Sequence, residues 1–212
     1  MKPDLTNIKN IVFDLGKVLL NLDINASISA FKKLGMESEV ITPQQAYTDP
    51  VFYDLEVGHI SPESFRKRIR QILKNTDISD IHIDDAWCAM LLDIPDYRVK
   101  LIKTLGKKFN LYLFSNTNAI HITRFHRKFR EDHGIEFPSL FTEIYYSHEI
   151  HERKPDLTAY LKVLELSGIN PGQSLFIDDL EKNVEGASRA GMRTFWLKNG
   201  MEVAGLFKFI SP

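Results

Sequence analysis

The chain has 212 residues, of which 43% are hydrophobic, and its formal net charge is −1. These values fit a sizeable core and exclude global disorder and a basic surface that would attract nucleic acid. A single cysteine, Cys88, excludes an internal disulfide framework. No apolar run approaches the roughly 20 residues of a membrane helix, and residues 1–10 do not read as a secretory signal. We therefore expect a soluble, cytoplasmic protein that binds neither nucleic acid nor membrane.

Five short apolar segments rich in β-branched and aromatic residues predict buried strands. In chain order they lie at residues 11–13, 111–114, 144–146, 175–177 and 194–197. Helical patterns fill the gaps between the later segments, at 118–131, 155–166 and 180–190. Strands that alternate with helices predict an α/β fold in which a parallel sheet carries helices on both faces.

The regular spacing breaks after the first strand, because Ser115 follows Asp14 by 101 positions (115 minus 14). One strand–helix–strand unit needs only about 30 residues. Helical patterns occupy the interval and its end, at 27–34, 61–73, 84–92 and 96–105. We expect residues 20–95 to form an inserted helical bundle, and residues 1–19 and 96–212 to form the core domain. The expected assembly is a monomer or a weak homodimer.

Polar residues follow four of the five predicted strands, at the point where each strand ends. They are Asp14 after the first strand, Ser115 and Asn116 after the second, Lys154 beyond the third, and Asp178 and Asp179 after the fourth. Taken singly, each fits a helix cap, a turn or a solvated side chain. The carboxyl ends of parallel strands, however, meet at the sheet edge where ligands bind. Four converging positions of complementary chemistry therefore predict one site.

The carboxylates in this set predict a metal site. A nucleophilic Asp14 that approaches a phosphate dianion is repelled unless positive charge is present. Mg²⁺ prefers a few carboxylates together with water and phosphate oxygens. We expect Mg²⁺ as cofactor, with Asp14, the Gly16 carbonyl, and Asp178 or Asp179 as its ligands.

The remaining residues at the strand ends are suited to hold a phosphate group. Lys154 supplies positive charge, and the Ser115 hydroxyl and the Asn116 amide supply hydrogen-bond donors. Asp14 can then attack phosphorus in line and form an aspartyl phosphate that water hydrolyses. These residues predict a phosphatase with Asp14 and Lys154 as catalytic groups and a small phosphorylated metabolite as its partner.

Four ordered segments resemble the motifs of the haloacid dehalogenase (HAD) superfamily. They are residues 13–19 (FDLGKVL), 114–117 (FSNT), 154–156 (KPD), and 177–179 (IDD) with Asn183. Residues 55–61 (LEVGHIS) are similar to a cap segment of that superfamily. The branch that the chain most resembles contains α-D-glucose-1-phosphate phosphatase. The resemblance runs from residue 11 to about 197, and it implies a Rossmann-like core and a helical cap that closes over the site.

One position departs from the superfamily pattern. Most HAD phosphatases carry an aspartate two residues after the nucleophile, where it protonates the leaving group, but this chain has Gly16 followed by Lys17. Three interpretations remain open. The substrate carries an easily expelled group such as an anomeric phosphate, a cap residue donates the proton, or the protein is catalytically weak and acts by binding. The candidate donors, chosen by residue type, are Glu56, His59, His148 and His151.

Haloacid dehalogenation is the alternative reaction for the same nucleophile. Expulsion of a halide needs no proton, so Gly16 is compatible with a dehalogenase acting on a small halogenated acid. Dehalogenases, however, need no metal and lack the Asp178–Asp179 pair. Two further carboxylates beside an aspartate nucleophile are costly without a cation, which favours the Mg²⁺-dependent phosphatase.

Overall fold

The computed structural model describes residues 2–36 and 50–210, and within them a five-stranded parallel sheet forms the centre of the molecule. The strands are β1 (Asn10–Phe13), β2 (Asn110–Ser115), β3 (Glu143–Tyr146), β4 (Ser174–Asp178) and β5 (Arg193–Trp196). Their order across the sheet is β3-β2-β1-β4-β5, and every neighbouring pair is parallel. The predicted α/β class is confirmed, and each predicted strand overlaps an observed one.

The described part of the chain also contains ten α-helices. They are α1 (Ile24–Lys33), α2 (Pro50–Glu56), α3 (Pro62–Ile72), α4 (Asp80–Cys88), α5 (Asp96–Leu105), α6 (Ala119–His133), α7 (Ser147–Ile150), α8 (Leu157–Ser167), α9 (Glu181–Arg189) and α10 (Val203–Leu206). None of them is both long and apolar enough to span a membrane.

Helices cover both faces of the sheet, as the apolar strands require. Ile11 and Phe13 of β1 belong to one buried cluster, together with residues of α5 and α6. Val12, which lies between them, belongs to a second cluster together with Tyr160 of α8 and Ala187 of α9. This alternation follows from the two-residue period of a strand and leaves the central strands buried on both sides.

Helices α1 to α4 pack around an apolar cluster of their own, distinct from the two clusters on the sheet. Phe31, Phe52, Phe65 and Trp87 form its aromatic centre. Ser61 caps α3 as its sequence indicates, since its side chain accepts a hydrogen bond from the backbone N–H of Ser64. Residues 37–49 of the predicted insert lie outside the described residues.

The helix predicted at 84–92 begins and ends earlier in the structure. The Ser79 side chain accepts a hydrogen bond from the backbone N–H of His82, so capping starts α4 at Asp80. The helix ends at Cys88 because the residues that follow pair with another segment. The Met90 carbonyl accepts a hydrogen bond from the backbone N–H of Asp23, 2.9 Å away. Helix α2 was not predicted from the sequence.

The two chain segments that join α1–α4 to the rest of the molecule are paired with each other. Besides the Asp23–Met90 bond, the backbone N–H of Asn21 donates to the Asp93 carbonyl (2.9 Å), and the N–H of Leu92 donates to the Asn21 carbonyl (3.1 Å). We call this pair of segments, residues 21–23 and 90–93, the linker ribbon.

Arg98 at the start of α5 anchors the linker ribbon to the core. Its buried guanidinium donates to the Leu19 carbonyl and to the Asn21 side chain, both at 2.9 Å. The same group forms a two-pronged ion pair with Glu202, just before α10. One arginine therefore links the ribbon to two helices of the core.

Candidate active site

The residues predicted at the strand ends meet at one edge of the sheet. Asp14 directly follows β1, Ser115 closes β2 and Asp178 closes β4. Beside them is a cavity of about 340 Å³, which we call the phosphate cavity. Its walls include Asp14, Gly16, Ser115, Asn116, Lys154 and Asp179, together with Lys17, Arg153 and Lys182. The predicted site residues other than Asp178 thus line one space.

Lys154 is the buried cation that joins these strand ends. Its Nζ donates to Asp14 Oδ1 at 2.6 Å, to Asp178 Oδ2 at 2.8 Å and to the Phe114 carbonyl at 2.9 Å. Burial opposes its charge, but the two carboxylates outweigh burial and raise the pKa of Lys154. The ammonium group is therefore charged, and it fixes the Asp14 carboxylate in place.

Asp178 and Asp179 have different surroundings although they are adjacent. Asp178 is fully buried, and both of its oxygens accept hydrogen bonds from Lys154, Asn183 or the backbone N–H of Leu180. Asp179 lines the phosphate cavity. Asp178 is thus engaged by protein donors, whereas Asp179 faces the space where a ligand fits.

The carboxylates at this edge of the sheet need additional positive charge. Asp14, Asp178 and Asp179 each offer an oxygen atom, and these atoms lie within 4.8 Å of one another. Burial, followed by the neighbouring carboxylates, raises the pKa of Asp14 to about 7 despite Lys154, and burial and Asp178 raise the pKa of Asp179. A hard divalent cation bound by oxygen ligands supplies the missing charge, so this donor set fits Mg²⁺.

Asn116 holds the main chain of Lys154. Its Nδ2 donates to the Lys154 carbonyl at 2.8 Å, and its Oδ1 accepts from the Lys154 backbone N–H at 2.9 Å. The amide was predicted as a phosphate ligand. In the structure it makes this two-way contact and also lines the phosphate cavity, beside the buried Ser115.

Leu22 fills the space beside Gly16. A Cβ atom built on Gly16 would lie 2.8 Å from Cδ1 of Leu22, closer than real Cβ contacts. The side chain that the superfamily pattern places two residues after the nucleophile therefore has no room here unless Leu22 moves. The glycine and the leucine form a matched pair.

Of the four candidate proton donors, Glu56 alone lines a cavity at the site. It is nearly buried, its carboxylate is 3.0 Å from the Arg153 guanidinium, and burial raises its pKa. His59 is largely exposed beside Asp54. His151 contacts the Val57 carbonyl at 2.9 Å, and neither it nor His148 lines either of the two cavities at the site. Of these four residues, Glu56 is therefore the one that the structure places at the site.

A second cavity, of about 80 Å³, adjoins the phosphate cavity and was not predicted from the sequence. We call it the side chamber. It lies between α1–α4 and the core, and its walls include Trp87 from α4 and His121 from α6. Tryptophan and histidine at helical spacing among apolar residues are ordinary core residues, so no sequence pattern singles them out.

Comparisons with known proteins agree with this geometry. Residues 11–197 match the family described as haloacid dehalogenase-like hydrolase. The D-ribitol-5-phosphate phosphatase of Bacteroides thetaiotaomicron is 26% identical over 195 residues, which are 92% of this chain and 94% of that protein. The glyceraldehyde 3-phosphate phosphatase of Methanopyrus kandleri is 22% identical over 180 residues, which are 82% of this chain and 74% of that protein.

A solved structure is similar over almost the whole chain. It is a HAD family enzyme of Bacteroides thetaiotaomicron in complex with magnesium and inorganic phosphate, with a TM-score of 0.87 and 36% identity. The match covers 95% of this chain and all of that one (100%). The predicted superfamily is confirmed, whereas the narrower resemblance to α-D-glucose-1-phosphate phosphatase stays a prediction. The chain belongs to the haloacid dehalogenase-like hydrolase family.

Proposed function

We propose that the protein is a magnesium-dependent phosphatase that hydrolyses a small phosphate monoester through an aspartyl phosphate on Asp14. The observation that carries this proposal is the buried Lys154, which bridges Asp14 and Asp178 beside a cavity of about 340 Å³. The relatives named as phosphatases, and the similar enzyme solved with magnesium and inorganic phosphate, support the same chemistry. Two of them act on phosphates of a polyol and a triose, so a small sugar or polyol phosphate is the substrate we favour.

The expected metal ligands follow from which oxygens face the cavity. Asp14, Asp179 and the Gly16 carbonyl would hold Mg²⁺, because these residues line the phosphate cavity. The buried Asp178 would act by holding Lys154 and Asn183. When bound, Mg²⁺ supplies the positive charge that lets an anionic carboxylate approach an anionic phosphate.

The proposed reaction consists of two successive displacements at phosphorus. The Asp14 carboxylate attacks phosphorus, an O–P bond forms, and the ester O–P bond breaks with its electron pair on the leaving oxygen, which becomes the alcohol by taking a proton from water or from Glu56. A water molecule then attacks the same phosphorus and releases inorganic phosphate, which restores the Asp14 carboxylate. Lys154 and the Ser115 hydroxyl stabilise the negative charge on the phosphate oxygens in both steps.

We expect the leaving group to depart with little help from the core domain, because position 16 is a glycine and carries no acid. Glu56 is the candidate cap residue closest in position to supply a proton, although its carboxylate is paired with Arg153. We propose that residues 20–95 form the cap, since α1–α4 share their own apolar cluster and complete the walls of the side chamber.

We prefer a phosphatase to the two alternatives, a dehalogenase and a protein that only binds phosphate, for physical reasons. A dehalogenase gains nothing from Asp179 in the cavity wall, and its charge would oppose ionisation of the Asp14 nucleophile. A protein that only binds phosphate gains nothing from a negatively charged Asp14 in the wall of the phosphate cavity, because that charge repels the phosphate.

Release of inorganic phosphate from a panel of phosphorylated sugars, polyols and 4-nitrophenyl phosphate tests the proposal. We expect hydrolysis that needs Mg²⁺ and stops with EDTA. Hydrolysis that continues in EDTA, or no hydrolysis of any ester with Mg²⁺ present, would contradict it.

A further inference from the structure

A third cavity, of about 600 Å³, adjoins the phosphate cavity, and the proposed reaction does not use it. The two cavities share Lys17, Leu22 and Asp179 as walls. The other walls of the third cavity include Lys198 and Asn199, from the segment that follows β5. We call this space the lysine cavity. A group bound in it would lie next to a phosphate bound in the phosphate cavity.

Positive charge prevails along the walls of the lysine cavity. Its charged walls among the described residues are Lys17, Lys198 and Asp179. In the proposed function Asp179 is a ligand of Mg²⁺, which compensates its negative charge. The two lysines are exposed, and neither forms a hydrogen bond or a salt bridge through its side chain within residues 2–36 and 50–210. Two ammonium groups that ligands can reach therefore remain without an anion.

Lys198 is held at the wall by an aromatic contact. Its Nζ lies 4.5 Å from the centroid of the Trp196 ring, and the Trp196 indole N–H donates to the Asp179 carbonyl at 3.0 Å. A cation–π contact involves the charge of the ammonium group and the face of the ring. The N–H donors of Lys198 thus stay available to an anion.

Lys17 has a backbone conformation that is costly for a lysine. Its φ of 57° lies in the left-handed region, which glycine adopts freely and a residue with a Cβ atom does not. Residues held in this region cluster at functional sites. Burial and Asp178 raise the pKa of Asp179, whereas the charge of Lys17 lowers it, so the ammonium group acts where the two cavities meet.

We propose that Lys17 and Lys198 bind a second anionic group of the substrate, a carboxylate or a phosphate, in the lysine cavity. Each ammonium group can donate a charge-assisted hydrogen bond to an oxygen of that group. This inference rests on the proposed function and names its substrate class. The class is a phosphate monoester whose organic part carries a further negative charge, such as the phosphate ester of a small sugar acid or a bisphosphate.

Matched pairs of esters test the proposal in the wild-type protein with Mg²⁺ in excess. Each ω-carboxyalkyl phosphate is compared with the ω-hydroxyalkyl phosphate that has the same number of carbons, for example 4-phosphooxybutanoate with 4-hydroxybutyl phosphate. Butane-1,4-diyl bisphosphate tests a phosphate as the second group. At the best length we expect kcat/KM to be at least about 10-fold higher for the anionic ester. This ratio should fall towards one in 0.5 M NaCl, because salt screens exposed charges.

Lys17→Gly removes the ammonium group and the backbone strain together. We expect the ratio within the best pair to fall towards one and the urea midpoint of unfolding to rise. Lys198→Met, which keeps the backbone and removes the charge, should lower the ratio without that rise. Lys74→Gly is the control, because Lys74 is an exposed lysine with φ 51° that lines neither cavity. It should raise the midpoint and keep the wild-type ratio.

The outcomes separate the two proposals. A ratio near one at every length in the wild-type enzyme, with both esters hydrolysed in Mg²⁺, overturns the binding of a second anion and leaves the phosphatase assignment intact. A high ratio that survives both Lys17→Gly and Lys198→Met, or that falls equally in Lys74→Gly, overturns the assignment to the lysine cavity. No hydrolysis of any ester, including 4-nitrophenyl phosphate, overturns the proposed function and this inference together.

Discussion

The phosphate cavity and the side chamber share the side chain of Leu22 as a wall, but they are built in opposite ways. In the first, the charged groups at the strand ends are held by one another, and Lys154 alone has three acceptors. In the second, most walls are apolar, and one of them, Trp87, has a buried indole N–H with no acceptor among the described residues. A change in the phosphate cavity should therefore affect every ester, whereas a change in the chamber should alter the preference between esters.

The largest expected effect is that of Asp14→Asn. The amide neither attacks phosphorus nor carries the charge that Lys154 pairs with, so activity towards all esters should fall by at least about 10⁴-fold. Phosphate release measures the loss, and circular dichroism verifies the fold. Activity retained in a preparation free of wild-type protein would remove Asp14 as the nucleophile.

The adjacent acids Asp178 and Asp179 should differ when they are changed separately. Asp179→Asn should raise the Mg²⁺ concentration for half-maximal activity by at least about 10-fold and leave stability nearly unchanged. Asp178→Ala should lower the free energy of unfolding by roughly 3–5 kcal/mol, because it removes a buried partner of Lys154. Replacing both with Ala should abolish activity, and activity that survives with EDTA would favour the dehalogenase alternative.

The Gly16–Leu22 pair connects the two cavities and gives a third prediction. Without an acid at position 16, the rate should fall steeply as the leaving-group pKa rises, by up to ~1.4 kcal/mol per unit in the barrier. Gly16→Asp alone should help less, since the new side chain meets Cδ1 of Leu22 and must displace it. Gly16→Asp with Leu22→Ala should speed hydrolysis of alkyl phosphates by about 10²-fold relative to Leu22→Ala, and aryl phosphates much less. A flat dependence on leaving-group pKa would show that another residue, Glu56 first, donates the proton.

The smallest expected effect is on the pH dependence of stability, and it comes from His121 in the wall of the side chamber. The pKa of His121 is about 4 in the folded protein and about 6.5 in the unfolded chain, so below pH 6.5 the unfolded chain binds a proton that the folded protein does not. This contribution to stability is complete above pH 6.5 and is lost as the pH falls towards 4. Between pH 7 and pH 5 it amounts to about 2 kcal/mol.

Urea unfolding of wild type and His121→Gln at both pH values isolates this contribution. The glutamine keeps a donor for the Trp87 carbonyl but does not titrate, so its loss of stability on acidification should be smaller by that amount. Equal losses in the two proteins would mean that His121 is readily protonated in the folded state.

The two regions also differ in how far the sequence predicts them. Asp14 and Asp179 follow short apolar strands, and Lys154 follows the third strand with the one-turn helix α7 between them. The parallel sheet places these residues together, so local patterns were enough to predict the site. Trp87 and His121 are 34 positions apart on different helices, and they meet only because α4 packs on α6. The sequence shows Gly16 as a departure from the superfamily pattern. That Leu22 occupies the space beside Gly16 depends on how the chain folds back and could not be predicted. When two segments each have the pattern of ordinary core residues, nothing in the local sequence shows that they contact each other.

The linker ribbon determines how the α1–α4 unit can move. Two separate tethers would let that unit twist as well as tilt, but the backbone bonds of Asn21 and Asp23 fasten the tethers to each other and resist torsion. We expect bending about the ribbon to be the main remaining freedom, with Arg98 holding the ribbon to the core. Any opening of the unit should then follow mainly this one bending coordinate. A single pair of spectroscopic labels, one on α3 and one on α8, should report the whole motion.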